Sequence, residues 1–199
     1  MRKQNSHIAL QRSVAFFAAL FACSIASAHV GAGDAHGLMH GFMHPVTGLD
    51  HVAAMVAVGL WAAQLGGRAV WVVPASFVSL MAVGGALGEQ GIYLPFVEAG
   101  IAASVLVLGL AIAGAIRLPL TASAALVGVF ALFHGHAHGT EMPEDATGLL
   151  YGIGFMIGSA LLHVSGILLG LSAQKMASPK AIQIAGAAIA AMGVYLNFA

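Results

Sequence analysis

The sequence predicts an all-α fold, a polytopic membrane helix bundle with six transmembrane helices that follow a cleaved signal peptide. Of its 199 residues, 60% are hydrophobic and only 7% are charged, whereas a soluble domain carries roughly 25% charged residues. Apolar segments recur along the chain, and strand-like alternation is absent. Helices satisfy their backbone groups within one segment, as lipid requires. The formal net charge is zero, which gives no basic surface for nucleic acid.

The first 28 residues have the three regions of a secretory signal peptide. Basic residues precede an apolar run over residues 14–25, and the small residues 26–28 (Ala-Ser-Ala) follow it. Cleavage after this stretch would leave residues 29–199 as the transmembrane domain and make His29 its N-terminus. His29 would then offer an imidazole and a free amine to a metal. The alternative is an uncleaved first membrane helix.

Six apolar segments follow a polar stretch rich in glycine and histidine, and each is predicted to be one membrane-spanning helix. Each comes near the roughly 20 residues that one span needs to cross about 30 Å of hydrocarbon. The predicted helices cover residues 45–65, 70–88, 95–116, 119–136, 147–172 and 180–198.

The charge distribution orients the predicted bundle in the membrane. Signal cleavage places the mature N-terminus outside, and six spans place the C-terminus there as well. The basic residues of the mature chain then all fall on the cytoplasmic side, as the positive-inside rule requires: Arg68, Arg117, Lys175 and Lys180. The acids, and every mature histidine except His163, fall toward the outer side. They would form a mouth suited to capturing a cation.

The first group of candidate metal ligands is His44, Asp50 and His51, at the start of the first predicted helix. On a straight helix, His44 and His51 share a face but lie about 10 Å apart along the axis, too far for one ion. Pro45 and Gly48 would bend the helix and shorten that distance, or the two imidazoles would mark successive stations. Asp50 and His51 should point in different directions. Asp50 would either ligate a metal or orient an imidazole. The alternative is that this group only hydrogen-bonds to other helices.

Two further histidines precede this group. His36, His40 and His44 are spaced four apart, so they would form one stripe if the stretch is helical. If the stretch is flexible, they would act as a loose chelating arm. The alternative is a solvated tail without a role.

The second group is His134, His138 and Glu141, at the end of the fourth predicted helix. Spacings of four and three place these side chains on one face, where two imidazoles and a carboxylate can meet one ion. His136 should point to the opposite side and is the doubtful member. The alternative is a polar helix end that carries incidental histidines.

Glu98 and His163 are single polar residues in apolar surroundings. Glu98 opens the third predicted helix, where it would either interact with the helix dipole or attract and ligate a cation. His163 lies in a stripe of small residues on the fifth, so it should face the bundle interior. There it would be either an inner station for an ion or a hydrogen-bond partner of another helix.

The candidate ligands are imidazoles and carboxylates. The single cysteine, Cys23, lies in the predicted signal peptide. A ligand set without thiolate disfavours copper(I) and suits nickel, cobalt, zinc or iron(II).

The two groups resemble the two signatures of the HupE/UreJ family of nickel/cobalt permeases. The matching stretches read His44-Pro45-x-x-Gly48-x-Asp50-His51 and Phe133-His134-Gly135-x-x-His138-Gly139-x-Glu141. The resemblance implies uptake of nickel, with cobalt as the alternative ion, for hydrogenase or urease maturation. It implies no permanently bound cofactor, and cytoplasmic nickel-handling accessory proteins as partners beside the lipid bilayer.

The resemblance also assigns ligand or transport roles to individual positions. These are His44, Asp50, His51, Glu98, His134, His138 and Glu141. It implies nothing for His36 and His40.

No phosphate-binding loop of the type Gly-x4-Gly-Lys-Ser/Thr occurs, so ion gradients or a partner, rather than ATP, would energise transport. A secondary permease or a facilitated diffusion path is expected, and not an enzyme. The rival hypothesis is an intramembrane metallohydrolase or hydroxylase that uses the same cluster to hold zinc or iron with an open coordination position. A metal-binding accessory subunit without transport is a third hypothesis.

Overall fold

The computed structural model describes residues 34–140, 148–176 and 178–198, which fold into seven α-helices without a strand. The predicted all-α membrane bundle is therefore confirmed. The predicted signal peptide, His29 and Glu141 lie outside the described residues, as does the side chain of His36. The helices are α1 (Asp34–Thr47), α2 (Leu49–Leu65), α3 (Ala69–Glu89), α4 (Val97–Ala113), α5 (Leu120–Thr140), α6 (Gly148–Lys175) and α7 (Pro179–Phe198).

Four of these helices, α3, α5, α6 and α7, are long and apolar enough to cross a membrane. Helices α1 and α2 meet that requirement only as a pair, and α4 is apolar but has 17 residues. Helix α4 is shorter than predicted because the left-handed residues Phe96 (φ 59°) and Ala115 (φ 49°) flank it. Length and composition thus give four spans, or five with the bent pair, in the described chain. The count of six stays a prediction.

The predicted continuous helix over residues 45–65 is wrong at its N-terminal end. The chain is helical through Thr47 and breaks at Gly48, and the axes of α1 and α2 differ by 81°. Gly48 has extended backbone angles (φ −86°, ψ 119°), while its carbonyl accepts the first bond of α2 from Val52 N–H at 2.9 Å. The bend that Pro45 and Gly48 suggested is therefore present. It swings His44 out of the axis of α2.

Glycines allow the helices around the site to pack with their backbones in contact. Gly135 of α5 lies so close to the Met81 carbonyl of α3 that an added Cβ would collide with it. Gly59 of α2 lies equally close to the His163 carbonyl of α6. Small residues permit this close approach in lipid, where apolar burial alone does not drive helix association. The helix pairs α3–α5 and α2–α6 are thereby brought together around a core that includes Trp61, Phe77, Met55 and Met81.

Hydrogen bonds define one end of the bundle, where α2, α4 and α6 end and α3, α5 and α7 begin. Trp61 Nε1–H donates to the Ile116 carbonyl at 3.0 Å, and Gln174 Nε2–H donates to the Ala63 carbonyl at 2.8 Å. We call this the basic end, since the four basic residues of the described chain are exposed there: Arg68, Arg117, Lys175 and Lys180. The opposite end, where α2 and α6 begin and α5 ends, is the histidine end.

Candidate functional site

The two groups of candidate ligands meet at the histidine end of the bundle. A pocket of about 270 Å³ opens there beneath the bend between α1 and α2. Five predicted ligands line this pocket, drawn from α1, α2, α4 and α5: His44, Asp50, His51, Glu98 and His138. Helix α4 packs against both α2 and α5, and α1 and α2 both pack against α6, which brings these segments together.

His51 and His138 are in direct contact at the centre of the site. Their Nε2 atoms are 2.6 Å apart, and their ring centroids are 4.4 Å apart. Both side chains are buried, at 7% and 4% exposure. At this separation one ring nitrogen must carry a proton and the other must offer its lone pair.

Asp50 determines which nitrogen of His51 carries the proton. Its Oδ1 lies 2.9 Å from both the backbone N and the Nδ1 of His51. A carboxylate only accepts hydrogen bonds, so it holds the His51 proton on Nδ1 and leaves the Nε2 lone pair directed at His138. His138 therefore donates from Nε2, and its buried Nδ1 has no partner in the described part of the chain.

The expectation that Asp50 and His51 point apart was wrong. Asp50 lies in the first turn of α2, where the N–H of His51 has no partner within the helix. The Asp50 carboxylate folds back over this N–H and reaches the His51 ring at the same time. Of the two roles considered for Asp50, the geometry favours orienting an imidazole.

His134 lies one helical turn deeper than His138 and contacts His51 from the other side. It is fully buried, with its ring centroid 4.8 Å from that of His51. Ser104 of α4 donates its hydroxyl proton to the Ile101 carbonyl at 2.6 Å, so its oxygen accepts from His134 Nε2–H at 2.8 Å. His134 is thereby held as the tautomer with an Nδ1 lone pair. No described residue bonds to that atom.

His44 extends the cluster toward the surface. Its ring centroid is 4.5 Å from that of His138, and its Nδ1 is 3.0 Å from the Tyr151 hydroxyl. Phe155 packs beside His138, with ring centroids 4.0 Å apart. Four imidazoles thus form a continuous row from the surface inward, in the order His44, His138, His51 and His134. We call this the imidazole row.

The row does not form a ready-made polydentate cage. Within residues 34–140, 148–176 and 178–198, no three His, Cys, Asp or Glu side chains are placed so that they could bind one ion together. The arrangement instead offers nitrogen atoms in succession. This suits an ion that exchanges ligands more than one that is held permanently.

Comparison with known proteins decides the family. The family model described as HupE / UreJ protein matches residues 17–196. A relative named Protein HupE, from Rhizobium leguminosarum bv. viciae, is 48% identical over 179 residues, which cover 90% of this chain and 93% of the relative. The chain belongs to the HupE/UreJ family. No solved structure is significantly similar to it.

Several predicted residues of this HupE/UreJ chain lie outside the imidazole row. His136 points away, as expected, and donates from Nε2 to the Ile92 carbonyl at 2.7 Å, so it anchors the loop between α3 and α4. His40 is exposed on α1, with its ring edge-on to Tyr151 at 6.2 Å. Glu98 is exposed at the rim of the pocket. His163 lies deeper in the bundle, with its ring centroid 5.2 Å from that of Phe77.

Sequence reasoning missed two residues that position the imidazoles. Ser104 is a single hydroxyl within the apolar helix α4, and a polar residue inside a span is a usable signal. Tyr151 lies in the first turn of α6 and contacts His44 only because the bend at Gly48 lays α1 against α6. No sequence pattern predicts the contact between Tyr151 and His44.

Proposed function

We propose that this HupE/UreJ chain is a secondary permease that carries Ni²⁺, with Co²⁺ as the alternative, across the bacterial inner membrane into the cytoplasm. The main support is the His51–His138 contact, in which two buried imidazoles from different helices meet through Nε2 atoms 2.6 Å apart. Polar groups are costly inside a membrane protein and mark ion pathways. The family resemblance implies that the ion supplies hydrogenase or urease maturation.

The nitrogen lone pairs suit an ion of this class. Neutral imidazole binds nickel, cobalt and zinc well, and the described residues include no cysteine whose thiolate would favour copper(I). Two nitrogens that share an ion at about 2.1 Å are roughly 3.0–3.4 Å apart. To admit the ion between them, the two rings would separate by less than about 1 Å, and the Nε2 proton of His138 would move to its unpartnered Nδ1 or be released. The Asp50 carboxylate would hold the His51 ring during this exchange.

The acidic rim would select for cations before they reach the row. Asp50 and Glu98 line two neighbouring pockets that open at the histidine end. Their charge raises the local concentration of a divalent cation. An ion would lose water at the rim and then move inward by exchange along the imidazole row, from His44 to His134. Weak successive sites allow release, which a single tight cage would prevent.

The charge distribution supports the orientation of the bundle in the membrane. The basic end would face the cytoplasm by the positive-inside rule, which turns the imidazole row toward the periplasm. Leu196 and Asn197, at the end of α7, line a pocket together with Asp50 and Glu98. The C-terminal end of α7 would therefore lie on the periplasmic side. Gradients or cytoplasmic capture of the ion would drive uptake, with cytoplasmic nickel-handling proteins as receivers.

Radiolabelled nickel uptake into proteoliposomes tests the proposal. We expect wild-type chain to take up Ni²⁺, and His134→Ala and Asp50→Ala to lower the initial rate at least about tenfold. Ser123→Ala is the matched control, since Ser123 is buried at the basic end, where it bonds to the Pro119 carbonyl.

The same measurement separates the rival hypotheses. An intramembrane hydrolase or hydroxylase would bind metal and turn over a lipid-like substrate without moving metal, and the His134→Ala variant would lose turnover. An accessory subunit would bind metal and show neither activity. Wild-type liposomes that take up Ni²⁺ no faster than empty ones, while the chain binds the ion, would exclude the permease.

A further inference from the structure

His163 is a buried imidazole that lies outside the imidazole row. It lies twelve residues beyond Tyr151 and twelve before Lys175 on α6, so it is about 18 Å from either end of that stretch, near the middle of the bundle. Its side chain is 1% exposed, and neither ring nitrogen has a hydrogen-bond partner in the described chain. Buried imidazoles are nearly always hydrogen-bonded, so one with both nitrogens unpaired requires an explanation.

Ser159 presents a second unpaired polar group on the same face of α6. It lies one turn before His163, is fully buried, and its hydroxyl has no partner among the described residues. A serine inside a helix commonly bonds to the carbonyl four residues earlier. Ser165 does so, with its Oγ 2.9 Å from the Leu161 carbonyl. The hydroxyl of Ser159 makes no such bond, and so remains available together with the imidazole of His163.

These two groups lie next in line after the imidazole row. The Phe77 ring of α3 contacts His134, the innermost member of the row, with centroids 5.6 Å apart. The same ring contacts His163, with centroids 5.2 Å apart. A single aromatic ring therefore separates the last imidazole of the row from the next imidazole toward the basic end. A stability role would be served better by an apolar side chain at position 163, because the bilayer interior penalises unpaired polar groups.

We propose that His163 and Ser159 form an inner station, at which a partly dehydrated divalent transition-metal ion binds one imidazole nitrogen and one hydroxyl oxygen on its way to the cytoplasm. The ion would come from His134 past Phe77. This inference rests on the proposed permease function. Two protein ligands bind an ion weakly, which is what a transit site between two compartments needs.

Nickel binding to the full chain in detergent, followed by uptake into proteoliposomes, tests the inner station. Equilibrium dialysis at saturating Ni²⁺ counts the ions bound per chain. We expect His163→Phe to bind one ion fewer than wild type, while the imidazole row still binds Ni²⁺. Uptake by His163→Phe should fall at least about tenfold, and Ser159→Ala should weaken the same inner binding.

Matched controls come from the lipid-facing side of α6. Val164 is 43% exposed, so Val164→Phe introduces the same ring beside His163 without touching the station. Ser165→Ala removes a hydroxyl that only bonds to its own helix. Both variants should bind and transport Ni²⁺ as wild type does. If His163→Phe also loses binding at the imidazole row, the number of bound Ni²⁺ ions is measured instead with His163→Gln, which keeps a neutral polar side chain.

The outcome for the inner station is independent of the outcome for transport. Equal numbers of bound Ni²⁺ in wild type and in the folded His163 variant would overturn the station, even if uptake falls. A wild-type chain that moves no Ni²⁺ but loses one bound ion on His163→Phe would overturn the permease proposal and retain this binding site.

Discussion

The Nε2 atoms of His51 and His138 lie 2.6 Å apart, although 87 positions separate the two residues in the chain. This contact joins the start of α2 to the end of α5. Asp50 holds the proton of His51 on the far nitrogen, so a lone pair faces the partner ring. The two sequence motifs therefore meet in one cluster of imidazoles.

The Asp50→Asn substitution tests how the His51 tautomer is set. The amide keeps the size of the side chain but has no charge and also carries an N–H donor, so it no longer fixes the His51 proton on Nδ1. We expect Ni²⁺ affinity to fall about 10–100-fold, the usual loss when a group that orients a ligand is removed. Isothermal titration in detergent measures the affinity. Gln90→Ala, an exposed change at the same end, is the control, and equal affinities for Asp50→Asn and wild type would count against the role of Asp50.

The Ser104→Ala substitution tests the position of His134. The buried Nε2–H of His134 would lose its acceptor, which should cost about 1–3 kcal/mol in the free energy of unfolding. Ser123 is likewise fully buried and bonds to a backbone carbonyl, but at the basic end. We expect Ser104→Ala to weaken Ni²⁺ binding at least about threefold, and Ser123→Ala to leave it unchanged. Similar nickel affinities in the two variants would contradict this assignment.

Two glycine substitutions test the packing that places α5. At Gly135 a new Cβ would collide with the Met81 carbonyl of α3, whereas at Gly152 it would meet nothing within 4 Å. We expect Gly135→Ala to destabilise the chain by about 1–3 kcal/mol and to lower Ni²⁺ uptake, because it displaces the helix that carries His134 and His138. Gly152→Ala should be neutral or stabilising by up to about 1 kcal/mol. Denaturation in detergent compares them, and equal stability of both variants would rule out the tight α3–α5 contact.

Cysteine labelling tests the proposed orientation. Gln90→Cys lies exposed at the histidine end, and Met176→Cys lies exposed at the basic end. In spheroplasts, whose inner membrane is intact, a membrane-impermeant thiol reagent should label Gln90→Cys. It should label Met176→Cys only after the inner membrane is permeabilised. The reverse order would place the imidazole row on the cytoplasmic side and contradict the proposed orientation.

Much of the site could be predicted from local spacing. The four-residue interval between His134 and His138 places both rings on one face of α5, and the opposite position of His136 follows from the same period. These predictions are confirmed, because one regular helix carries all three residues. The metal roles assigned to the row, to His29 and to Glu141 stay predictions.

The rest of the site depends on tertiary contacts that the sequence pattern does not encode. The sequence is compatible both with a bend at Gly48 and with a straight helix on which His44 and His51 are successive stations. The 81° bend brings the His44 ring against His138. The Asp50 carboxylate turned back onto its own helix end because an unpaired N–H lies there. Ser104 contacts His134 because α4 packs on α5. The periodicity of either helix does not predict that packing.

The most direct test is nickel uptake into proteoliposomes that contain either His138→Gln or His136→Gln. Both substitutions replace a buried imidazole on α5. Of the two, His138 contacts His51, whereas His136 bonds to the Ile92 carbonyl. We expect His138→Gln to lower the initial rate at least about tenfold, and His136→Gln to retain most of the wild-type rate. Wild-type uptake by His138→Gln, or equal losses in both variants, would contradict a metal path through the His51–His138 contact.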